Sequence, residues 1–272
     1  MIKIENLNFG YSKKQLLFEK LNMEINKPGI VGLFGKNGAG KTTLLKLLSG
    51  LRFVNAGSMD VMGSNPSKRS PLLLQDLFFV PDQLDLPKMK AKEYVWYNGV
   101  GYPNFKHDLL YRLCDRFDLD TKLVLSSFSM GQQKKFMIAF ALASACKLIL
   151  LDEPTNGLDI PSKKVFRKVV AETLAEDQTI VISTHYVSEV EQIIDRFVVL
   201  DQQKIKFNGG MDDISEKFRF VTLPNLEQTE ALYSEEEING FKAILPNDGS
   251  KVTKIDLELF FNAIVSQKIT LN

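Results

Sequence analysis

The sequence predicts an α/β fold built around a mainly parallel sheet, followed by a small α+β appendage. Three observations lead there. Short apolar runs alternate with segments of helical period, and strand–helix–strand alternation means parallel strands joined by crossover helices. One such run, Ile30-Val-Gly-Leu-Phe34, ends in a glycine-rich turn that opens a helix. Past Gly209-Gly210 both pattern and charge change: residues 1–210 carry 28 basic and 22 acidic side chains, or +6, and residues 211–272 carry 6 and 11, or −5.

Taken in order, Ile2 and Ile4, then Leu21, Met23 and Ile25, alternate with polar residues, the period of half-buried strands. Ile30–Phe34 is apolar throughout, fit for a strand buried on both faces. A helix is expected over Lys41–Ser49 with Gly50 as its stop. Short strands follow at Ser58–Met62 and Phe78–Val80. From about Leu86 to Ala145 the pattern is mostly helical, with Leu109, Leu110 and Leu113 on one face and Met137, Phe140 and Ala141 on another. Strand Leu148–Leu151 precedes helix Lys163–Ala175, for which Ser162 is the N-cap candidate. Strand Thr179–Ser183 precedes a helix over Val187–Ile194, and strands Phe197–Leu200 and Ile205–Phe207 close the unit. Gly209-Gly210 then marks a joint. Beyond it, Phe218–Leu223 and Phe241–Leu245 read as strands. Asp256–Ser266 reads as an amphipathic helix burying Leu257, Phe260, Phe261 and Ile264. A piece of this size is marginal alone, so it is expected to pack on the main domain or on a neighbour. The acidic run Glu235-Glu236-Glu237 reads as a solvated face.

Composition excludes several classes. Hydrophobic residues are 44% and charged residues 25%, ordinary globular values. A net charge of +1 argues against broad electrostatic binding of nucleic acid. Two cysteines, Cys114 and Cys146, and two histidines, His107 and His185, build neither a disulfide framework nor a structural zinc site. Met1-Ile-Lys-Ile-Glu-Asn-Leu is too charged and too alternating for a secretory leader. The most apolar stretch, Phe136–Leu151, is interrupted by Lys147 and falls short of the roughly 20 apolar residues of a membrane span.

The chemistry is concentrated in two segments. Gly35-Lys36-Asn37-Gly38-Ala39-Gly40-Lys41-Thr42 fits the phosphate-loop pattern, with a strand before it and a helix after it. Glycines let backbone N–H groups turn inward on phosphate oxygens. The helix N-terminus adds partial positive charge. Lys41 can reach β- and γ-phosphates, and the hydroxyl of Thr42, with Thr43 beside it, can ligate Mg²⁺. The second segment, Leu148-Ile-Leu-Leu-Asp152-Glu153, is an apolar strand ending in two carboxylates. In a parallel sheet ligands bind at the carboxyl ends of strands. Asp152 is placed to hold Mg²⁺ and Glu153 to polarise an attacking water.

Phe128-Ser129-Met130-Gly131-Gln132 resembles the signature motif of ATP-binding cassette (ABC) ATPases. Gly157-Leu158-Asp159 resembles their D-loop, His185 their switch histidine, and Tyr11 the aromatic that stacks on adenine. The resemblance covers residues 1 to about 210 in motif order. It implies a P-loop NTPase (RecA-like) core with an N-terminal antiparallel β subdomain and an inserted α-helical subdomain at about 86–145, with 211–272 as a C-terminal appendage. It implies ATP and Mg²⁺ as cofactors. It also implies a head-to-tail pair with a second ABC subunit, in which Ser129, Gly131 and Gln132 of one subunit meet the ATP held by the other. His185 would contact the γ-phosphate. An integral membrane permease would be the further partner and nucleic acid would not, which puts the chain in the cytoplasm on the inner face of the cell membrane. Met130 and Phe128 depart from the signature's glycine and leucine. Asp82, in Phe79-Val-Pro-Asp82-Gln83, takes the place of the Q-loop glutamine and could reach the Mg²⁺ shell. The aromatic patch Tyr94, Trp96, Tyr97, Tyr102 and Phe105 is either a wall of the permease groove or a core of the helical subdomain. Asp82, the altered signature and the Asp256-Leu-Glu-Leu-Phe-Phe ending resemble bacterial exporter ATPases. The alternative is a non-transport single-cassette ATPase such as a cluster-assembly ATPase.

Overall fold

The computed structural model describes residues 1–12, 15–226, 230–247, 249 and 253–269. In chain order its elements are β1 (Ile2–Phe9), β2 (Phe18–Ile25), β3 (Gly29–Phe34), α1 (Lys41–Leu48), β4 (Ala56–Val61), α2 (Pro71–Gln75) and β5 (Leu77–Val80). Next come α3 (Ala91–Gly99), α4 (His107–Arg116), α5 (Met130–Ala143), β6 (Leu148–Asp152), α6 (Ile160–Thr173), β7 (Thr179–Thr184), β8 (Arg196–Asp201) and β9 (Lys204–Gly210). The last elements are α7 (Met211–Lys217), β10 (Phe218–Leu223), β11 (Tyr233–Glu237), β12 (Gly240–Pro246) and α8 (Leu257–Val265).

The central sheet has the order β5-β6-β7-β3-β8-β9. Its first five strands run parallel and β9 returns antiparallel along β8. Every residue of β3 is buried, as its unbroken apolar run requires. Because β5, β6, β7 and β3 are successive neighbours with one direction, their carboxyl ends lie side by side. That edge receives the phosphate loop after β3, Asp152-Glu153 at the end of β6, His185 after β7, and Asp82 after β5.

A second sheet, β2-β1-β4, is antiparallel, pairing Ile4 with Met23 on one side and Met59 on the other. Its buried alternating residues share a core with Leu44, Leu45, Leu47 and Leu48 of α1. Gly50, at φ +68°, ends that helix as its sequence position predicts. In the helical region, Tyr94, Tyr102 and Phe105 pack around Phe140 at 5.4, 6.2 and 4.9 Å, whereas Trp96 and Tyr97 are exposed. The aromatic patch is thus divided between core and surface. Burial pushes the Cys114 and Cys146 thiols up to about 12.

The third sheet, β10-β12-β11, is antiparallel. With α8 it closes over β8 and β9. Phe260 is fully buried among Phe197, Phe207, Phe218 and Phe220, at 5.9, 5.1, 5.2 and 6.2 Å. Leu257, Leu259 and Ile264 are buried with it, while Phe261 is only partly covered. The appendage shares one hydrophobic cluster with the central sheet. Truncating a buried aromatic costs about 3–5 kcal/mol. Phe260→Ala is therefore expected to lower the denaturant midpoint sharply while leaving ATP affinity intact; an unchanged midpoint would contradict this packing.

Two sequence expectations are corrected. The N-cap of α6 is Asp159, not Ser162: the Asp159 carboxylate accepts the Ser162 N–H at 2.8 Å, and Pro161 fits the first turn. Hydrogen bonds from Ser162 hold the Asp159 carboxyl below its usual range. Val187–Ile194 forms a 3₁₀ turn at Val187–Glu189 and no α-helix. There the buried Glu189 carboxylate accepts from Thr155, and from Lys163 at 2.6 Å, so tertiary bonds fix the segment. Gly209-Gly210 are the last residues of β9, opposite Phe197 and Arg196, and α7 begins at Met211. Helix α7 and strand β11 add to the expected appendage. The acidic run lies on β11, where Glu235 accepts from Tyr233 and Asn262 and Glu237 pairs with Lys242.

Candidate nucleotide site

The turn after β3 is shaped by glycine. A Cβ on Gly35 would stand 2.2 Å from the Leu200 carbonyl oxygen, and one on Gly40 2.8 Å from the Phe18 ring. Gly38 and Gly40 have φ of +80° and +108°. No side chain caps α1, so its first N–H groups face outward for an anion. Lys36, Asn37, Gly38, Ala39, Gly40, Lys41, Thr42 and Thr43 line a cleft of about 510 Å³ with Tyr11, Leu17, Asp82, Glu153, Asn156 and His185.

Lys41 is buried at the base of this loop. Its ammonium donates to the Gly35 carbonyl at 2.8 Å and meets Glu153 Oε1 at 3.3 Å. Tyr11 is 64% exposed, its hydroxyl bonded to Thr43 Oγ1 at 2.8 Å. The Arg52 guanidinium sits 5.9 Å from its ring centroid. A tethered, open aromatic face beside a phosphate loop suits a stacked base.

Asp152 is buried, with Oδ1 accepting from Ser183 Oγ at 2.6 Å and Oδ2 without a hydrogen-bond partner among the described residues. Burial pushes its carboxyl up; the Ser183 and Thr42 hydroxyls oppose that, and Glu153 and Asp82 add to it. A buried carboxylate oxygen left unpaired next to a threonine hydroxyl is a donor set of hard oxygens, the kind Mg²⁺ takes. Glu153 lies just beyond β6 with φ +45°, its N–H bonded to the Ser183 carbonyl at 3.0 Å. Both carboxylate oxygens lie 3.1 Å from His185 Nδ1. Its carbonyl accepts from Lys134 at 2.9 Å. Asp82 Oδ1 also accepts from Lys134, at 2.9 Å, and lies 3.4 Å from Asn156 Nδ2.

The structure thus gathers Tyr11, the phosphate loop, Glu153, His185 and Asp82 at one cleft, with Asp152 buried beneath. Ser129, Gly131 and Gln132 do not line it. Ser129 and Gln132 form a reciprocal cap on α5: Ser129 Oγ accepts the Gln132 N–H at 3.3 Å, and Gln132 Oε1 accepts the Ser129 N–H at 2.9 Å. Gly131 lies against the Gly157 carbonyl, where a Cβ would come within 2.9 Å. Met130, between Ser129 and Gly131, and Ile160, at the start of α6, are 70% and 85% exposed. Sequence reasoning passed over Lys134, Ser183, Asn156 and Arg52. Lys134 carried a signal, since Met137, Ile138 and Ala141, on its helical face, are all apolar.

The family model for the ABC transporter matches residues 18–156. The molybdate import ATP-binding protein MolC of Haemophilus influenzae is 32% identical over 86% of this chain and 92% of its own. The lantibiotic transport ATP-binding protein SrtF of Streptococcus pyogenes is 32% identical over 80% of this chain and 96% of its own. A solved ATP-binding subunit of an ABC transporter superposes with a TM-score of 0.71 at 25% identity, over 78% of this chain and 91% of that one. Loop, carboxylates, fold and kinship agree: the chain belongs to the ABC transporter family, as one of its ATP-binding, ATP-hydrolysing subunits.

Proposed function

We propose that this subunit hydrolyses ATP in a site completed by a second cassette and so drives a separate membrane permease in the direction of export. One observation carries the reading: the cleft holding Lys41, Glu153 and His185 lacks Ser129 and Gly131 from the same chain. The exposed apolar side chains of Met130 and Ile160 suit burial against a partner. A symmetric pair would bring each signature segment over the other's phosphate loop.

In this reading the loop amides and Lys41 hold the phosphates and Tyr11 stacks on the base. Asp152 and Thr42 would hold Mg²⁺, which when bound neutralises phosphate charge. Glu153 accepts a proton from the attacking water. His185, bonded to Glu153 through Nδ1, keeps Nε2 for the γ-phosphate. Lys41 leaves Glu153 for the phosphates when ATP arrives, which frees the carboxylate.

Among the described residues no helix is long and apolar enough to cross a membrane, so the transport path falls to a permease. Its contact would be the cleft of about 470 Å³ lined by Phe78, Tyr94, Tyr97, Asn98, Tyr102 and Phe140. Export rests on Asp82 and on the altered signature at Phe128 and Met130; transport assays with the permease in vesicles decide it. Residues 211–272 modulate or dimerise the cassette without entering the chemistry, as α8 packs on the 3₁₀ turn just past His185. The shared site is tested by mixing two inactive variants, Lys41→Ala and Ser129→Arg. A hybrid dimer keeps one intact site, so partial ATPase activity should return. No return, with mixed dimers shown to form, would refute sites built between subunits.

A further inference from the structure

Lys134 has no part in the reading above, yet among the described residues it is the most buried cation near the cleft. It is 2% exposed on α5. Taking an ammonium out of water is costly unless acceptors replace the water. Two do: Asp82 Oδ1 and the Glu153 carbonyl oxygen, each at 2.9 Å. The first belongs to the loop after β5. The second is the backbone of the residue whose carboxylate meets Lys41 and His185.

Glu153 is a non-glycine residue at φ +45°. Such a conformation persists only where the surroundings hold it. Ser183 holds its N–H, and Lys134 together with the Asn156 N–H, at 3.2 Å, holds its C=O, so the peptides on both sides of the residue are fixed. Charge adds a second constraint. Asp82, Asp152 and Glu153 stand at one end of the sheet, faced by Lys41 and Lys134. Once Lys41 serves the phosphates, Lys134 is, among the described residues, the cation paired with Asp82.

We propose that Lys134 is a positioning residue for ATP hydrolysis: it fixes the Glu153 backbone through its carbonyl and balances the charge of Asp82, so that residues 82 and 134 work as a matched pair.

The test compares purified wild type, Lys134→Gln, Asp82→Gln and the double variant for kcat, KM for ATP and thermal unfolding. Two glutamines span as many side-chain bonds as lysine plus aspartate, so the double variant rebuilds a neutral bridge of equal reach. Displacing a reacting group slightly costs one to two powers of ten in rate, so each single variant should lose about tenfold or more in kcat, with KM within about threefold. The double variant should return to within about fivefold of wild type, a coupling that independent sites would not show. A double variant as slow as the slower single overturns the pairing, and so do single variants with wild-type kcat. If Lys134→Gln does not fold, the double variant decides alone: folded and recovered supports the pair, unfolded or slow overturns it. The inference rests on Glu153 acting at this cleft. Glu153→Gln in the same assay separates the two failures, because a fast Glu153→Gln enzyme sinks the site assignment, whereas an unrecovered double variant sinks only the pair.

Discussion

Glu153→Gln is expected to bind ATP with near wild-type affinity and to lose roughly 100-fold or more of its turnover. Glutamine has the shape of glutamate, and the left-handed backbone at this position is held by Ser183, Asn156 and Lys134, which contact the main chain. The amide oxygen can still accept a hydrogen bond from His185. What the amide loses is the ability to take a proton from water. It also loses the charge that meets Lys41 at 3.3 Å, so the ammonium is freer to engage phosphate. The variant should therefore accumulate as an ATP-bound dimer, visible as a doubling of mass by sedimentation when ATP is added. Turnover near the wild-type rate would remove Glu153 from its role.

Lys41→Ala is expected to act on binding. A charge-assisted hydrogen bond is worth about 1.5–3 kcal/mol, which is roughly 10- to 150-fold in Kd. Lys41 is poised for such bonds because its ammonium already sits inside the loop on the Gly35 carbonyl. Removing it also takes the Lys41 ammonium from Glu153, whose carboxylate keeps its contact with His185. Nucleotide titration of the variant and the wild type is the check. Equal affinities, with both proteins folded by thermal melt, would refute the assignment.

Much of this was legible in the sequence because the signals were local. The run Ile30–Phe34, the turn Gly35–Gly40 and the stop at Gly50 each act on their own neighbourhood, and each stands where expected. The failures share a different cause. Val187, Val190 and Ile194 have helical spacing, yet Glu189 anchored to Thr155 and Lys163 holds the segment in a short turn. Ser162 and Asp159 both suit a cap, and only the entry geometry chooses Asp159. Strand β11 is rich in glutamate, a poor strand former, and is held by pairing with β12. Lys134 stands on an otherwise apolar helical face, but its partners Asp82 and Glu153 are brought beside it only by strands far apart in the chain. The order of β7 and β8 around β3 is likewise a product of long-range pairing.

The two cysteines have a practical consequence. Thiol reagents attack the thiolate. Cys114 and Cys146 are buried, and burial pushes both thiols far above the usual range, so little thiolate forms near neutral pH. The native chain is thus already silent toward maleimides and spin labels, with no cysteine to remove. A single cysteine placed at Met130, which is 70% exposed, or at Trp96, which is 68% exposed, would be the one reactive position. A fluorophore at the first would report the approach of a second cassette, and one at the second the seating of a membrane partner, each read against a dark background.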